Sequence, residues 1–442
     1  MELQCDKVLG SWFGMAVGDA MGLSVRGLKQ ETIAQFFGEI DGYKDVTPHI
    51  GAGVKRYRMQ GLYGVQTQSA LAVCDSILKN KNAGGDEITS LLQEMSSMGP
   101  EHYCGVFRHA LGTFRKMLES LEGETSLAPV GHNFADGSFF AMTVPLALIY
   151  RDNLTTMRAR CAEIYSSMTA NLCELNGALV LGFFVTRFLS MSPNEEGAPA
   201  DPERLLEDAA KFCEENEAYF QKTFPDLWEK NGGDRSFSHT LRGLRNNFKM
   251  EESKLKEWIC QNASALVKSA ISHPSQGYAL TLLPLALTIV LREGKDFSSA
   301  MTPALNMGRE ADRMGALVGA MAGALYGFSG ISDAWRAGLV NAREIKLRGE
   351  ALFSGKGVTA FKDLQAMESG LTAKENETGK KYLLKTSKKS PAKGQGGKTA
   401  LEGSADDMDV PRKDDVAGWR KYNKDKTKEK RDRRRNQDLS EL

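Results

Sequence analysis

The stretch Gly308-Arg-Glu-Ala-Asp-Arg-Met-Gly315-Ala-Leu-Val-Gly319-Ala-Met-Ala-Gly323-Ala-Leu-Tyr-Gly327 repeats glycine at every fourth position from 315 onward, with Ala316, Ala320 and Ala324 beside it. Glycine inside a helix costs about 1 kcal/mol relative to alanine, so a stripe of it along one helical face needs a cause. The cause this pattern predicts is a second backbone approaching closely along that face, which makes the segment a central buried helix. Its apolar run Met314–Phe328 covers 15 residues, short of the about 20 that span a bilayer. A membrane pair joined through glycines is therefore excluded.

Outward from this segment, helical spacing dominates residues 1–345. Apolar positions recur three and four apart in Thr67–Leu78 (Ala70, Leu71, Cys74, Ile77, Leu78) and in Ala178–Leu189, the period of a half-buried helix. Strand-type alternation is scarce, so the fold class reads as all-α. Thr67 is placed to cap the helix that follows, and Ser192–Asp201 reads as a loop because it is rich in Pro, Glu and Gly.

Bulk properties bound the rest. The chain has 442 residues, 41% of them apolar and 26% charged, with a net charge of +1, the profile of a globular protein. The charge is uneven: residues 371–442 hold 20 Lys+Arg against 13 Asp+Glu, the remainder 37 against 43. The sequence predicts one domain over 1–350 and a disordered basic tail over 371–442. On this reading, cutting the chain after Gly370 leaves the melting temperature nearly unchanged. The tail's Trp419, Tyr422 and Arg433–Arg435 suit an acidic or RNA partner, but interleaved Asp414, Asp425, Glu429, Asp432 and Asp438 favour a solvated segment.

The seven cysteines (5, 74, 104, 161, 173, 213, 260) include no CxxC pair and read as reduced thiols. The six histidines do not cluster with them along the chain, so no zinc site is expected. The N-terminus has neither the basic n-region nor the continuous apolar run of a signal peptide. A cytoplasmic protein with no membrane association is the expectation.

Four blocks, in order, carry a family resemblance. They are Gly10-Ser-Trp-Phe-Gly14-Met-Ala-Val-Gly18-Asp19-Ala-Met-Gly22, then Tyr63-Gly64-Val65-Gln66-Thr67-Gln68-Ser-Ala70-Leu71, then Gly137-Ser138-Phe139-Phe140-Ala141-Met142-Thr143-Val-Pro145-Leu, and Gly308-Arg309-Glu310-Ala311-Asp312-Arg313-Met-Gly315-Ala316. Together they resemble the motifs of ADP-ribosylglycohydrolases across residues 7–345. The resemblance implies a compact helical domain with a central cleft. It also implies a site where two Mg²⁺ ions, held by hard oxygen ligands, orient ADP-ribose and polarise the bond at its anomeric carbon.

The departures fall on the positions to which the family gives those tasks. Its Thr-Asp-Asp ligands correspond to Gly64, Val65 and Gln66, and its second ligand segment to Glu310, Asp312 and Arg313. An acidic position after the first block falls on Arg26. The loop cradling the diphosphate has Ser138 and Phe139 in place of Asn and Gly, Thr143 replaces an arginine, and Ala170 follows Thr169 where a histidine is usual. Three carboxylates are lost and three guanidinium groups (Arg26, Arg309, Arg313) gained. Arginine keeps its charge at all ordinary pH, so no Mg²⁺ cofactor is expected and Gly64, Val65, Gln66, Glu310, Asp312 and Arg313 read as vestigial metal positions.

The sequence thus points to a pseudoenzyme. Arg26, Gln66, Thr67, Ser138, Glu310, Asp312 and Arg313 are the candidate ligand-binding residues for ADP-ribose, a nucleotide or another phosphorylated molecule. The plainer alternative pairs Glu310 and Asp312 with Arg26 and Arg313 in a satisfied ion network. An active, metal-independent glycosidase would use Glu310 and Asp312 as acid and base, although two residues two apart on a helix do not face each other. A scaffold acting through the tail is the third alternative. Asp19 is expected to tie down the turn after the first helix, His132 to act as a loop hydrogen-bonder and His273 to be structural.

Overall fold

Two glycine stripes set the architecture. Helix Leu3–Leu23 carries glycine at 10, 14, 18 and 22, and helix Ala311–Tyr326 carries it at 315, 319 and 323. A Cβ added to Gly18 would stand 1.9 Å from the Gly315 carbonyl oxygen, one on Gly14 2.4 Å from that of Gly319, and one on Gly10 2.4 Å from that of Gly323. Gly22 meets the Ala311 carbonyl in the same way, at 2.1 Å. As one residue number rises by four its partner falls by four, so the two helices run antiparallel with backbone against backbone. The expected close-approaching partner is the N-terminal helix. Gly327 also lies against Gly10, its carbonyl carbon 2.4 Å from where a Cβ on Gly10 would stand, but it caps the helix with φ 79°, a conformation open to glycine, where Asp6 binds the amide and hydroxyl of Ser329.

The chain is described in a computed structural model at residues 2–100, 104–110, 112–121, 123, 130–199, 201–355 and 361–388. The described residues form eighteen α-helices and no strand beyond isolated bridges such as Lys29 with Gly308. The all-α expectation holds. Both helices of the glycine seam are buried along almost their whole length. Around them pack Val65–Lys79, Leu172–Ser190, Phe297–Asn306 and Ala342–Ser354. The predicted helices at 67–78 and 178–189 are real and somewhat longer. Leu172–Ser190 is long and apolar enough to cross a bilayer, but 94% of that window is buried inside the fold.

The C-terminal boundary differs from the sequence expectation. One compact unit spans Met1–Ser390, and a helix runs Leu364–Lys388, straight through the proposed tail onset at 371. Its inward face is polar. Glu368 accepts from Arg108 Nη2 (2.7 Å), Tyr63 Oη (2.7 Å) and Gln68 Nε2 (2.9 Å), while Thr372 accepts from Arg108 Nη1 (3.0 Å) and donates to the Val106 carbonyl (2.6 Å). Glu368, Thr372 and Glu375 are all buried. Composition averages over a Lys-rich surface hide such a face. Trp419 to Arg435 and the rest of 389–442 lie outside the described residues.

Two measurements check this packing. Gly18→Ala inserts a methyl where 1.9 Å is available and should destabilise the protein by at least about 3 kcal/mol, the upper range for overpacking a core, with a matching fall in the thermal midpoint. A chain ending at Gly370 loses Thr372 and Glu375 and should melt several degrees below one ending at Lys388.

Candidate functional site

The four sequence blocks meet at the end of the seam where Gly22 faces Ala311. Asp19 lies inside the first helix, fully buried, and it ties down the start of the second block rather than the turn after its own helix. Its Oδ2 accepts from the amides of Gly64 (3.0 Å) and Thr67 (2.9 Å) and from the Thr67 hydroxyl (2.7 Å). Helix Val65–Lys79 has Gly64 at its N-cap and no cap from its own side chains, so its free amides are satisfied by a carboxylate from the first helix. Thr67 is a donor within the first turn, not the cap. Burial first, and then the charge of Asp312, push the Asp19 carboxyl up to about 7 against the pull of these donors.

A backbone exchange aligns the two arginine-bearing segments. The amide of Arg309 donates to the Leu28 carbonyl and that of Gly27 to the Arg309 carbonyl, both at 2.7 Å, and Arg309 adopts φ 55° in the left-handed region. This places Arg26 opposite Glu310 and Asp312. Arg26 Nη1 donates to Asp312 Oδ2 at 2.8 Å and to the His109 carbonyl at 2.9 Å, and Nη2 lies 3.5 Å from Glu310 Oε2. Arg313 Nη1 donates to the Asp136 carbonyl (2.6 Å), and its Nε lies 3.4 Å from Glu310 Oε2. Burial opposes the charge of Arg313, but Glu310, Asp136 and Asp312 outweigh it and hold its pKa above the usual arginine value. Asp312 is completely buried and Glu310 a quarter exposed. Glu310 stands at the N-cap rather than within the helix, so both carboxylates reach the same guanidinium despite being two residues apart.

The cradle loop is pulled inward. The amides of Gly137 and Phe139 donate to Glu174 (2.9 and 3.0 Å), and that of Ser138 to Asp136 Oδ1 (3.0 Å). Asp136 also accepts from the Thr113 amide and hydroxyl. Burial, with the Asp136 charge second, raises the Glu174 carboxyl to about 8. Phe139 is buried among Phe114 and Tyr165, filling space that a glycine would leave open. The Ser138 hydroxyl is buried without a partner among the described residues, as are Asp19 Oδ1 and Asp312 Oδ1.

Behind Arg26 stands the C-terminal helix. His109, in the left-handed conformation with φ 62°, offers its carbonyl to Arg26 and sets Nε2 3.4 Å from Glu375 Oε2. Burial, then Arg58 and Arg26, lower the His109 ring to about 4. Burial tends to raise Glu375, but His109, Arg58 and Arg108 outweigh it and bring it to about 2.

Of the residues singled out in the sequence, the fold gathers Arg26, Glu310, Asp312 and Arg313 into one ion network and sets Thr67 beside it on Asp19. Val65 and Gln66 are buried at the start of their helix. Arg309 joins through its backbone, and its guanidinium has no ion pair or hydrogen bond among the described residues. His132 binds the Leu266 carbonyl and Asp234, and His273 binds Ser275, both as expected. Sequence reasoning missed Asp136, Glu174, His109 and Glu375. Asp136 adjoins the third block and could have been found there, whereas no local pattern marks Glu375.

Comparison with known proteins identifies the family and the fold. Residues 1–360 match the ADP-ribosylglycohydrolase family. A 79-residue stretch is 38% identical to ADP-ribosylarginine hydrolase Tri1 of Serratia proteamaculans (strain 568), covering 18% of this chain and 21% of that protein. The chain therefore matches only about a fifth of that relative's length. An uncharacterized protein of Archaeoglobus fulgidus is 23% identical over 337 residues, 76% of this chain and 92% of the other. Among solved structures, an ADP-ribosylglycohydrolase-related protein complex shares the fold with a TM-score of 0.55 and 21% identity, covering 80% of this chain and 99% of that one. The helix at 364–388 lies beyond the matched region; over residues 1–360 the chain belongs to the ADP-ribosylglycohydrolase family.

Proposed function

We propose that this chain is a pseudoenzyme of its family, in which arginine–carboxylate pairing has replaced a dinuclear Mg²⁺ centre. The observation that carries this reading is Arg26 Nη1, 2.8 Å from Asp312 Oδ2, with Nη2 against Glu310. Two Mg²⁺ ions need several hard oxygen donors and tolerate no fixed cation among them. Val65 offers no donor, Gln66 offers a neutral amide, and both surviving acids of the last block already hold guanidinium groups. The residues present do not fit a metal pair, and no catalytic step is routed through one.

The same pairing bears on ligands. Arg26 and Arg313 are engaged by carboxylates and backbone carbonyls, so a phosphorylated molecule such as ADP-ribose would have to displace Glu310 or Asp312 to reach them. The plain ion network is thus better supported than an arginine-lined anion pocket; Arg309 is the guanidinium left over for such a contact. A glycosidase built on Glu310 and Asp312 fares worse, because Asp312 is sealed from solvent and only Glu310 could touch a substrate. The retained role is binding or regulation in the cytoplasm. A tail-based scaffold draws no support from the described residues.

Calorimetry with ADP-ribose, with and without Mg²⁺, together with a release assay on an ADP-ribosylarginine peptide, tests this reading. We expect no Mg²⁺-dependent heat and no release; either signal would overturn it. Arg26→Ala leaves Asp312 buried and unpaired, and should cost about 3 kcal/mol or more in denaturant unfolding, part of which Asp312→Asn restores. A cost below about 1 kcal/mol would mean that Arg26 is a free ligand-binding group of the surface-pair kind.

A further inference from the structure

Next to the cradle loop, three residues distant in sequence converge. His132 lies in the short turn His132–Phe134, Cys173 in the first turn of helix Leu172–Ser190, and Asp234 in the loop before helix Ser236–Asn247. An imidazole nitrogen, the thiol sulfur and a carboxylate oxygen all lie within 4.8 Å of one another. The sequence showed no histidine–cysteine cluster of metal-ligand spacing, and the fold brings one together in space.

The surroundings are those of a ligand set. His132 Nδ1 faces the Leu266 carbonyl at 3.2 Å and Nε2 faces Asp234 Oδ1 at 3.1 Å. Both ring nitrogens face oxygens, so each carries a proton or a cation in its place. A cation on Nε2 would replace the proton shared with Asp234, with Nδ1–H donating to the carbonyl as metal-bound histidines do. Ser236 supplies the outer support: its hydroxyl donates to Cys173 Sγ at 3.5 Å and its amide to Asp234 Oδ1 at 2.8 Å. Asp234 Oδ2 has no hydrogen-bond partner among the described residues. Zinc takes imidazole nitrogen and carboxylate oxygen at about 2.0–2.2 Å and thiolate at about 2.3 Å.

We propose that His132, Cys173 and Asp234 form a binding site for a zinc-like divalent cation, distinct from the cleft. A mixed nitrogen, sulfur and oxygen set suits zinc and excludes magnesium or calcium. Binding exchanges the Cys173 thiol proton for the metal and releases that proton to water. The His132 side is partly open, 27% exposed against 8% for Asp234, which leaves room for water as fourth ligand. The ion clamps the 131–134 turn to the helix whose next residue, Glu174, fixes the cradle loop.

The test uses the full chain, stripped by chelator and titrated with Co²⁺ and then Zn²⁺. We expect one equivalent of Co²⁺ to give a thiolate charge-transfer band that Zn²⁺ displaces, and zinc to raise the melting temperature by several degrees. Cys173→Ser should abolish the band and weaken zinc binding roughly 100-fold. Absence of the band in folded wild type, or its persistence in folded Cys173→Ser, overturns the site and leaves His132 and Asp234 a simple ion pair. Should Cys173→Ser fail to fold, His132→Gln, at the most exposed of the three positions, carries the comparison through zinc retained per chain.

Discussion

Backbone packed on backbone along Gly10, Gly14, Gly18 and Gly22 is the constraint on which the rest of the molecule depends. Each glycine gives up conformational entropy on folding, and the seam offsets this by bringing two long apolar helices to a separation that no side chain permits. With that separation fixed, the neighbouring helices have a rigid surface to pack on. The same geometry sets Asp19 and the Asp312 segment side by side at one end, so that acidic groups from distant parts of the chain share one small volume.

How that volume is neutralised distinguishes this chain from what its motifs imply for the family. Several carboxylates converge there: Asp19, Asp136, Glu174, Glu310 and Asp312. Two are relieved by burial, which favours their protonated forms at about 7 and about 8. The others face Arg26 and Arg313. A guanidinium brings its own charge and donors in a fixed plane, matched to the carboxylates it faces here. The outcome is an electrostatically self-contained core patch, backed by a helix that the family match does not include.

Much of this was legible in the sequence. Glycine at a four-residue period announces a close helix partner, and the substitutions at 26, 65, 66 and 313 announce the change of charge. Other features were hidden for physical reasons. Thr67 looked like a helix cap because capping is read from local residues, whereas the group that satisfies those amides, Asp19, comes from another helix. The C-terminal helix was concealed because Glu368, Thr372 and Glu375, although at helical spacing, are polar, and a reading based on apolar periodicity does not register a buried polar face. His132, Cys173 and Asp234 lie too far apart in the chain for any spacing rule to join them. Only the fold makes them neighbours.

A seam of bare main chain also separates two kinds of evolutionary freedom. Because the helices are joined through atoms that every residue possesses, their alignment owes nothing to the identity of side chains beyond the last glycine. The groups at that end can then be exchanged, acid for base or donor for hydrocarbon, without unseating the architecture. A scaffold of this kind keeps its shape while the groups that it positions are free to change.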